Sequence, residues 1–237
     1  MPRTGNSFLR RILELITGTY TGSEMNMDLT VEHMTGYLAG ESTVSHDNLC
    51  WVTKTHWPME SPTGAIKFSA QKCISIVRNP IDMMPSFALL FNLNSHSATT
   101  VVPVSEADPI WWDTFIKRIS KSLNDSVSAM SQVEATIPTY YLRYEDLVLN
   151  PEPVLMELFA FLLDVESIKG SVVERRIQDY CAKGKKGGSV YKLKADPAKN
   201  LSRNVGMYTD YQLEYLKDEC RDFLYYFSYT DHLDASM

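Results

Sequence analysis

The sequence predicts an α/β fold, a parallel sheet covered by helices on both faces. Three short apolar runs of strand-like composition, 49–53 (LCWVT), 73–77 (CISIV) and 139–143 (TYYLR), alternate with longer helical patterns. Strands alternating with helices need crossover connections, which set parallel neighbours side by side and bury both faces. Each run also stops abruptly, at Lys54, at Arg78 and at Tyr144-Glu145-Asp146. With 237 residues, 44% of them hydrophobic and 11% aromatic, the chain holds enough core for one domain, expected over residues 1–237.

The elements follow in order. Pro2-Arg3-Thr4-Gly5-Asn6-Ser7 reads as a tight turn delivering the chain into a helix, whose apolar face is Leu9, Ile12, Leu13, Leu15 and Ile16 and whose end lies near Gly18. Such a turn ordinarily follows a buried strand, and here only Met1 precedes it. A helix is predicted over Ile81 to Asn92, kinked or started late by Pro85. Asp108 to Val133 follows, with Asp108-Pro109 as cap and first position. Pro153 to Leu163, Ser167 to Cys181 and a final amphipathic helix from Thr209 to Tyr226 complete the set. Residues 183–206 are basic, glycine-containing and aperiodic, and a loop of that length in a compact domain often serves function.

Composition removes several classes of function. The net charge of −6 argues against nucleic acid as a partner, since that affinity rests on basic surface. Cys50, Cys73, Cys181 and Cys220 lack the paired spacing of a zinc site and read as reduced, buried thiols. No stretch approaches a membrane span, and Arg10, Arg11 and Glu14 interrupt any signal-like run. The chain as given is expected to be cytoplasmic.

Ligands of open α/β sheets gather beyond the carboxyl ends of the strands, where three polar clusters fall: Lys54-Thr55-His56-Trp57-Pro58, Arg78-Asn79-Pro80 and Tyr144-Glu145-Asp146. A glycine turn feeding a helix start offers amides to a phosphate or sulfate, although an ordinary turn has the same composition. A His beside a Lys at a strand mouth suits removal of a hydroxyl proton near neutral pH; the alternative is a His with a structural hydrogen bond. Arg78 and Ser86, eight residues apart, suit one phosphate between them; alternatively Arg78 pairs with Asp82. His33, His46, His96 and His232 have no comparable setting.

Taken together and in this order, the pieces resemble the sulfotransferases that use 3'-phosphoadenosine 5'-phosphosulfate (PAPS). PRTGNSFLR is similar to that family's 5'-phosphosulfate loop, VTKTHWP to its K-T-H-x-P segment, and IVRNPIDMMPS to its 3'-phosphate segment. LRYEDLVLNPEPVLMELFAFL is similar to its R-Y-E-D-L stretch, and LITGTYTGS faintly resembles carbohydrate sulfotransferases that carry WSC domains. The resemblance implies a P-loop-like three-layer α/β/α fold with a central parallel sheet, here without the N-terminal strand, as in a truncated chain or incomplete gene model.

It implies PAPS as co-substrate, no metal, and sulfuryl transfer to an acceptor hydroxyl or amine. His56 would be the general base, and Lys54 would neutralise charge at the bridging oxygen. Arg3, Thr4, Gly5, Asn6 and Ser7 would hold the 5'-phosphosulfate, Phe8 and Tyr144 would contact adenine, and Arg78 and Ser86 would bind the 3'-phosphate. Lys185, Lys186 and Gly187 are the favoured counterpart of a late basic glycine loop, with Lys183 and Gly184 fitting nearly as well. The implied acceptor is a small molecule, a carbohydrate or a tyrosyl group, its pocket drawn from residues 92–107, Trp57, Trp111 and Trp112 unless those aromatics are core. A lost N-terminal anchor would move the location to the Golgi lumen. Two rivals are a P-loop-type kinase, which needs a loop lysine and a Mg²⁺ carboxylate absent from residues 2–8, and an inactive sulfotransferase-derived scaffold.

Overall fold

The computed structural model describes residues 3–23, 51–55, 70–93, 104–183 and 204–230. Two parallel strand pairs organise them. β1 (Gly22–Ser23) pairs with β2 (Thr53–Lys54), and β3 (Cys73–Val77) pairs with β4 (Thr139–Arg143). The β3–β4 register runs from Cys73 opposite Thr139 to Val77 opposite Arg143, so both strands finish at the same level.

Alternation along β3 and β4 sends successive side chains to opposite faces. Ile74, Ile76, Tyr140 and Leu142 join one apolar cluster. Its helices are α1 (Asn6–Thr17), α5 (Tyr144–Leu149), α6 (Pro151–Leu163) and α7 (Val172–Lys183). Val77 and Tyr141 join the other cluster. That one is built on α2 (Pro80–Leu93), α4 (Pro109–Glu134), α8 (Asp210–Glu219) and α9 (Arg221–Tyr226). A short helix, α3 (Val104–Ala107), and a 3₁₀ turn at Val205–Met207 complete the described elements.

Local chemistry explains most boundaries. Gly18, in the left-handed region at φ 74°, ends α1 by donating its N–H to Glu14 O. Asp108 caps α4 by accepting from Trp111 N at 3.0 Å, with Pro109 in the first turn. Thr209 and Gln212 form a reciprocal capping box at α8.

Pro85 sits inside α2, where its missing N–H deprives the carbonyl four residues back of a partner. That carbonyl belongs to Ile81, and the hydroxyl of buried Tyr208 donates to it at 3.0 Å. Complete burial, with Asp82 and Cys220 adding to it, holds the Tyr208 hydroxyl far above its ordinary pKa, so it remains a donor.

Several sequence expectations need correction. The predicted Thr209–Tyr226 helix breaks at Cys220, whose Sγ lies 3.5 Å from Ser120 O. Leu216, Cys220, Phe223 and Leu224 are buried across the break, so the apolar period hides it. The expected helix from Ser167 starts at Val172, after Gly170 at φ 77° and after Ser171, whose Oγ accepts from Glu174 N. Of the run at 49–53, residues 49 and 50 lie outside the described residues; among those described the strand is Thr53–Lys54, and its partner Gly22–Ser23 was not anticipated. Trp112 belongs to the core, stacked on Phe115 and close to Tyr208, while Trp111 packs at its margin. Cys220 is buried, whereas the free thiols of Cys73 and Cys181 are half-buried. Among the described residues no helix is long and apolar enough to cross a membrane.

Candidate active site

Three segments distant in sequence meet at the carboxyl ends of β3 and β4. The first is the turn before α1. Arg3 and Gly5 both adopt positive φ, 64° and 107°, and Leu9 N donates to Gly5 O as α1 begins. A left-handed backbone costs a non-glycine residue about 1–2 kcal/mol, so the fold must hold Arg3 in place. Arg78 does so by donating from its terminal nitrogen to Arg3 O at 3.2 Å.

Gly5 is required for a second reason. A Cβ there would lie 2.5 Å from Tyr144 Cδ2 and 3.3 Å from Ile76 Cδ1. The turn is therefore pressed against the end of both paired strands. Thr4 is buried, and Asn6 and Ser7 are half-buried. Gly5 supplies no side-chain cap and the first turn of α1 contains no acidic residue. The first-turn amides and the positive end of the helix dipole thus suit an anion.

The second segment is Arg78 to Ser86, at the end of β3 and the start of α2. Ser86 Oγ accepts from Arg3 Nε at 2.8 Å, joining the two segments by side chains as well as backbone. A hydroxyl accepting in this way keeps its own hydrogen to donate elsewhere. Arg78 does not pair with Asp82, which accepts from Asn204 Nδ2 at 3.1 Å. Among the described residues no carboxylate neutralises Arg78, and its Nε is buried without a hydrogen-bond partner. A buried cationic donor left in that state is costly unless something anionic meets it.

The third segment is Tyr144, the first residue of α5. Its ring lies under the Arg78 guanidinium, 4.6 Å from carbon to centroid, a favourable cation–π arrangement. The same ring meets Phe8 edge-on at 6.1 Å, and Phe8 itself is buried in the α1 cluster. Arg3, Gly5, Phe8, Arg78, Ser86 and Tyr144 therefore form one contiguous group. Lys54 ends β2 and is half-buried with Thr55. His56, Lys185, Lys186 and Gly187 lie outside the described residues, as do Lys183's side chain, Gly184 and Trp57.

The model of the sulfotransferase domain family matches residues 1–204. The chain belongs to that family. Comparison with curated proteins and with solved structures gave no match. In this sulfotransferase the matched range holds every site segment named above, and α8 and α9 follow it.

Sequence reasoning missed the residues that hold the Arg78 segment. Glu145, singled out only as part of a polar cluster, turns inward: its Oε1 accepts from Asn79 N at 3.0 Å and its Oε2 from Tyr229 OH at 2.6 Å. Asn204 and Tyr208 grip the first turn of α2 at Asp82 and Ile81. A carboxylate buried at the end of β4 needs donors, but its burial shows only in the folded chain, so the sequence carried no signal for Glu145 beyond its place in the polar cluster. Nothing local in the sequence marks Tyr229.

Proposed function

We propose that this sulfotransferase moves a sulfuryl group from PAPS to an acceptor hydroxyl or amine. The observation that carries the reading is the unmatched Arg78, buried at Nε and sharing one cluster with Arg3, Ser86 and a glycine turn at a helix start. These groups fit a nucleotide with two separated anionic ends. PAPS brings the sulfuryl group already joined to a phosphate leaving group.

In this reading Arg3 and the amides of Thr4, Gly5, Asn6 and Ser7 bind the 5' end, aided by the Ser7 hydroxyl. Arg78 and the remaining Ser86 hydroxyl hydrogen bind the 3'-phosphate. Tyr144 and Phe8 present ring surface to the base. Lys54 stabilises negative charge gathering on the leaving oxygen, and preorganised donors of this kind contribute about 2.7–4 kcal/mol each. His56 takes the acceptor proton, worth roughly 10²–10⁴-fold. Lys185, Lys186 and Gly187 contribute further binding groups for the nucleotide. The arrangement belongs to a single P-loop-like three-layer α/β/α domain, and the acceptor is a small molecule, a carbohydrate or a tyrosyl group.

Calorimetric titration with adenosine 3',5'-bisphosphate, followed by sulfuryl-transfer assays on phenols, sugars and tyrosyl peptides, tests this. The expected result is binding that falls sharply in Arg78→Met and transfer that collapses in His56→Ala with binding kept. Absence of bisphosphate binding by the intact chain would overturn the reading, and transfer at full rate in His56→Ala would remove the histidine from its role.

A further inference from the structure

The sulfotransferase reading leaves open what fixes the direction of Arg78, whose guanidinium is held, among the described residues, by a single hydrogen bond and a ring face. The backbone beside it is fixed from an unexpected quarter. Asn79 is buried, and its N–H donates to Glu145 Oε1 at 3.0 Å. Asn79 Oδ1 accepts from Ile81 N at 3.0 Å, and its carbonyl accepts from Asp82 N and Met83 N, so Asn79 starts α2. Any shift of Glu145 therefore moves the peptide that carries Arg78.

Glu145 is in turn held by Tyr229, fully buried, whose hydroxyl donates to Oε2 at 2.6 Å. Tyr229 is anchored by its own backbone N–H, which donates to Leu224 O at 2.8 Å, and by a stacked Phe223 ring. The Arg143 guanidinium lies over the Tyr229 ring, 4.5 Å from carbon to centroid. Burial, then the neighbouring Glu145, push the Tyr229 hydroxyl far above its ordinary pKa, with Arg143 opposing weakly. It is accordingly a permanent donor at any working pH.

The geometry points to Tyr229 as a positioning residue for the 3'-phosphate: it acts through Glu145 and the Asn79 amide to aim Arg78. Tyr229 lies beyond residue 204, where the family match ends, so this function is assigned to a part of the chain that the shared domain does not cover. The inference rests on the proposed function, since it presumes that Arg78 meets a 3'-phosphate.

The test compares adenosine 3',5'-bisphosphate with adenosine 5'-phosphate, by calorimetry, in the intact chain and in Tyr229→Phe. The ratio of the two affinities isolates the 3'-phosphate. Tyr229→Phe is expected to reduce that ratio roughly three- to tenfold while leaving the 5'-phosphate affinity in place, the range a single lost hydrogen bond provides. A general loss of stability lowers both affinities together, leaves the ratio intact and overturns the inference. Should Tyr229→Phe fail to fold, hydrogen exchange on the unaltered chain decides. Bisphosphate, but not 5'-phosphate, should protect both the Asn79 amide and the 221–230 segment; protection at Asn79 alone removes Tyr229. An intact chain that does not discriminate the two nucleotides removes the proposed function together with this inference, whereas discrimination unchanged by the substitution removes this inference only.

Discussion

Two arginines stand at the ends of adjacent strands, Arg78 just past β3 and Arg143 closing β4, and each lies over a tyrosine ring at nearly the same distance, 4.6 Å and 4.5 Å. Their surroundings differ. Arg143 has Asp146 Oδ2 at 3.7 Å and shares Tyr229 with the buried Glu145, so its charge is answered by its own chain. Arg78 has a carbonyl and a ring and, among the described residues, no carboxylate; a buried Nε without a hydrogen bond is common to both arginines, so the neighbouring carboxylate is what separates them. Identical side chains on neighbouring strands thus do opposite things: one completes the fold, and the other is left for a ligand. What distinguishes them is the side of the sheet. Arg143 faces the cluster that contains Tyr229, while Arg78 faces the glycine turn before α1.

The sharpest way to break this contrast is to remove each charge in turn. Arg78→Met should weaken bisphosphate binding by roughly 10- to 150-fold, since hydrogen bonds to charged groups are worth about 1.5–3 kcal/mol, with little loss of melting temperature. Arg143→Met should reverse the pattern, lowering stability by about 1–2 kcal/mol, or roughly 2–8 °C, through the lost cation–π contact and ion pair. Calorimetry and thermal unfolding on both variants check this, and similar profiles for the two would end the distinction.

Gly5→Ala attacks the ring beneath Arg78. The new Cβ meets Tyr144 Cδ2 at 2.5 Å in a backbone with φ 107°. Stability should fall by about 1–3 kcal/mol and bisphosphate affinity with it, read by unfolding and titration. Alkaline pH attacks the other side. The folded Tyr229 pKa is raised, so its contribution is complete below 10.0 and is lost as pH rises, because only the unfolded chain ionises there. Stability should decline by up to about 1.4 kcal/mol per pH unit above 10 from this group, and Tyr229→Phe should reduce the total alkaline slope by that share, the rest coming from other buried tyrosines such as Tyr208 and Tyr180, in denaturant titrations at stepped pH. The smallest effect is expected from Asp146→Asn. Its carboxylate is about half exposed, at 48%, so the ion pair should be worth a few tenths to about 1 kcal/mol by double-mutant cycle with Arg143→Met.

Much of this arrangement was legible in the residues themselves. β3 and β4 match the apolar runs at 73–77 and 139–143 residue for residue, because short β-branched and aromatic runs bounded by charge have few other solutions. The convergence of Arg3, Arg78 and Ser86 was readable for a related reason: strand ends in a parallel sheet point one way, so polar clusters there must be neighbours. Tertiary chemistry was not readable. The α8–α9 break leaves the apolar period intact, with Leu216, Cys220, Phe223 and Leu224 buried across it, so no pattern in the residues marks it. The inward turn of Glu145 depends on Tyr229, 84 residues away, and no local pattern encodes a bond of that range.

Pro85 and Tyr208 carry a consequence for how this chain tolerates change. The proline withdraws an amide from Ile81 O and the phenol replaces it, so neither substitution has a fixed cost of its own. Tyr208→Phe is damaging while residue 85 is proline, and much less so once Pro85→Ala has restored the helical bond. A lineage can therefore exchange the two only in one order, the helix position first, and the phenol becomes dispensable by history and not by chemistry.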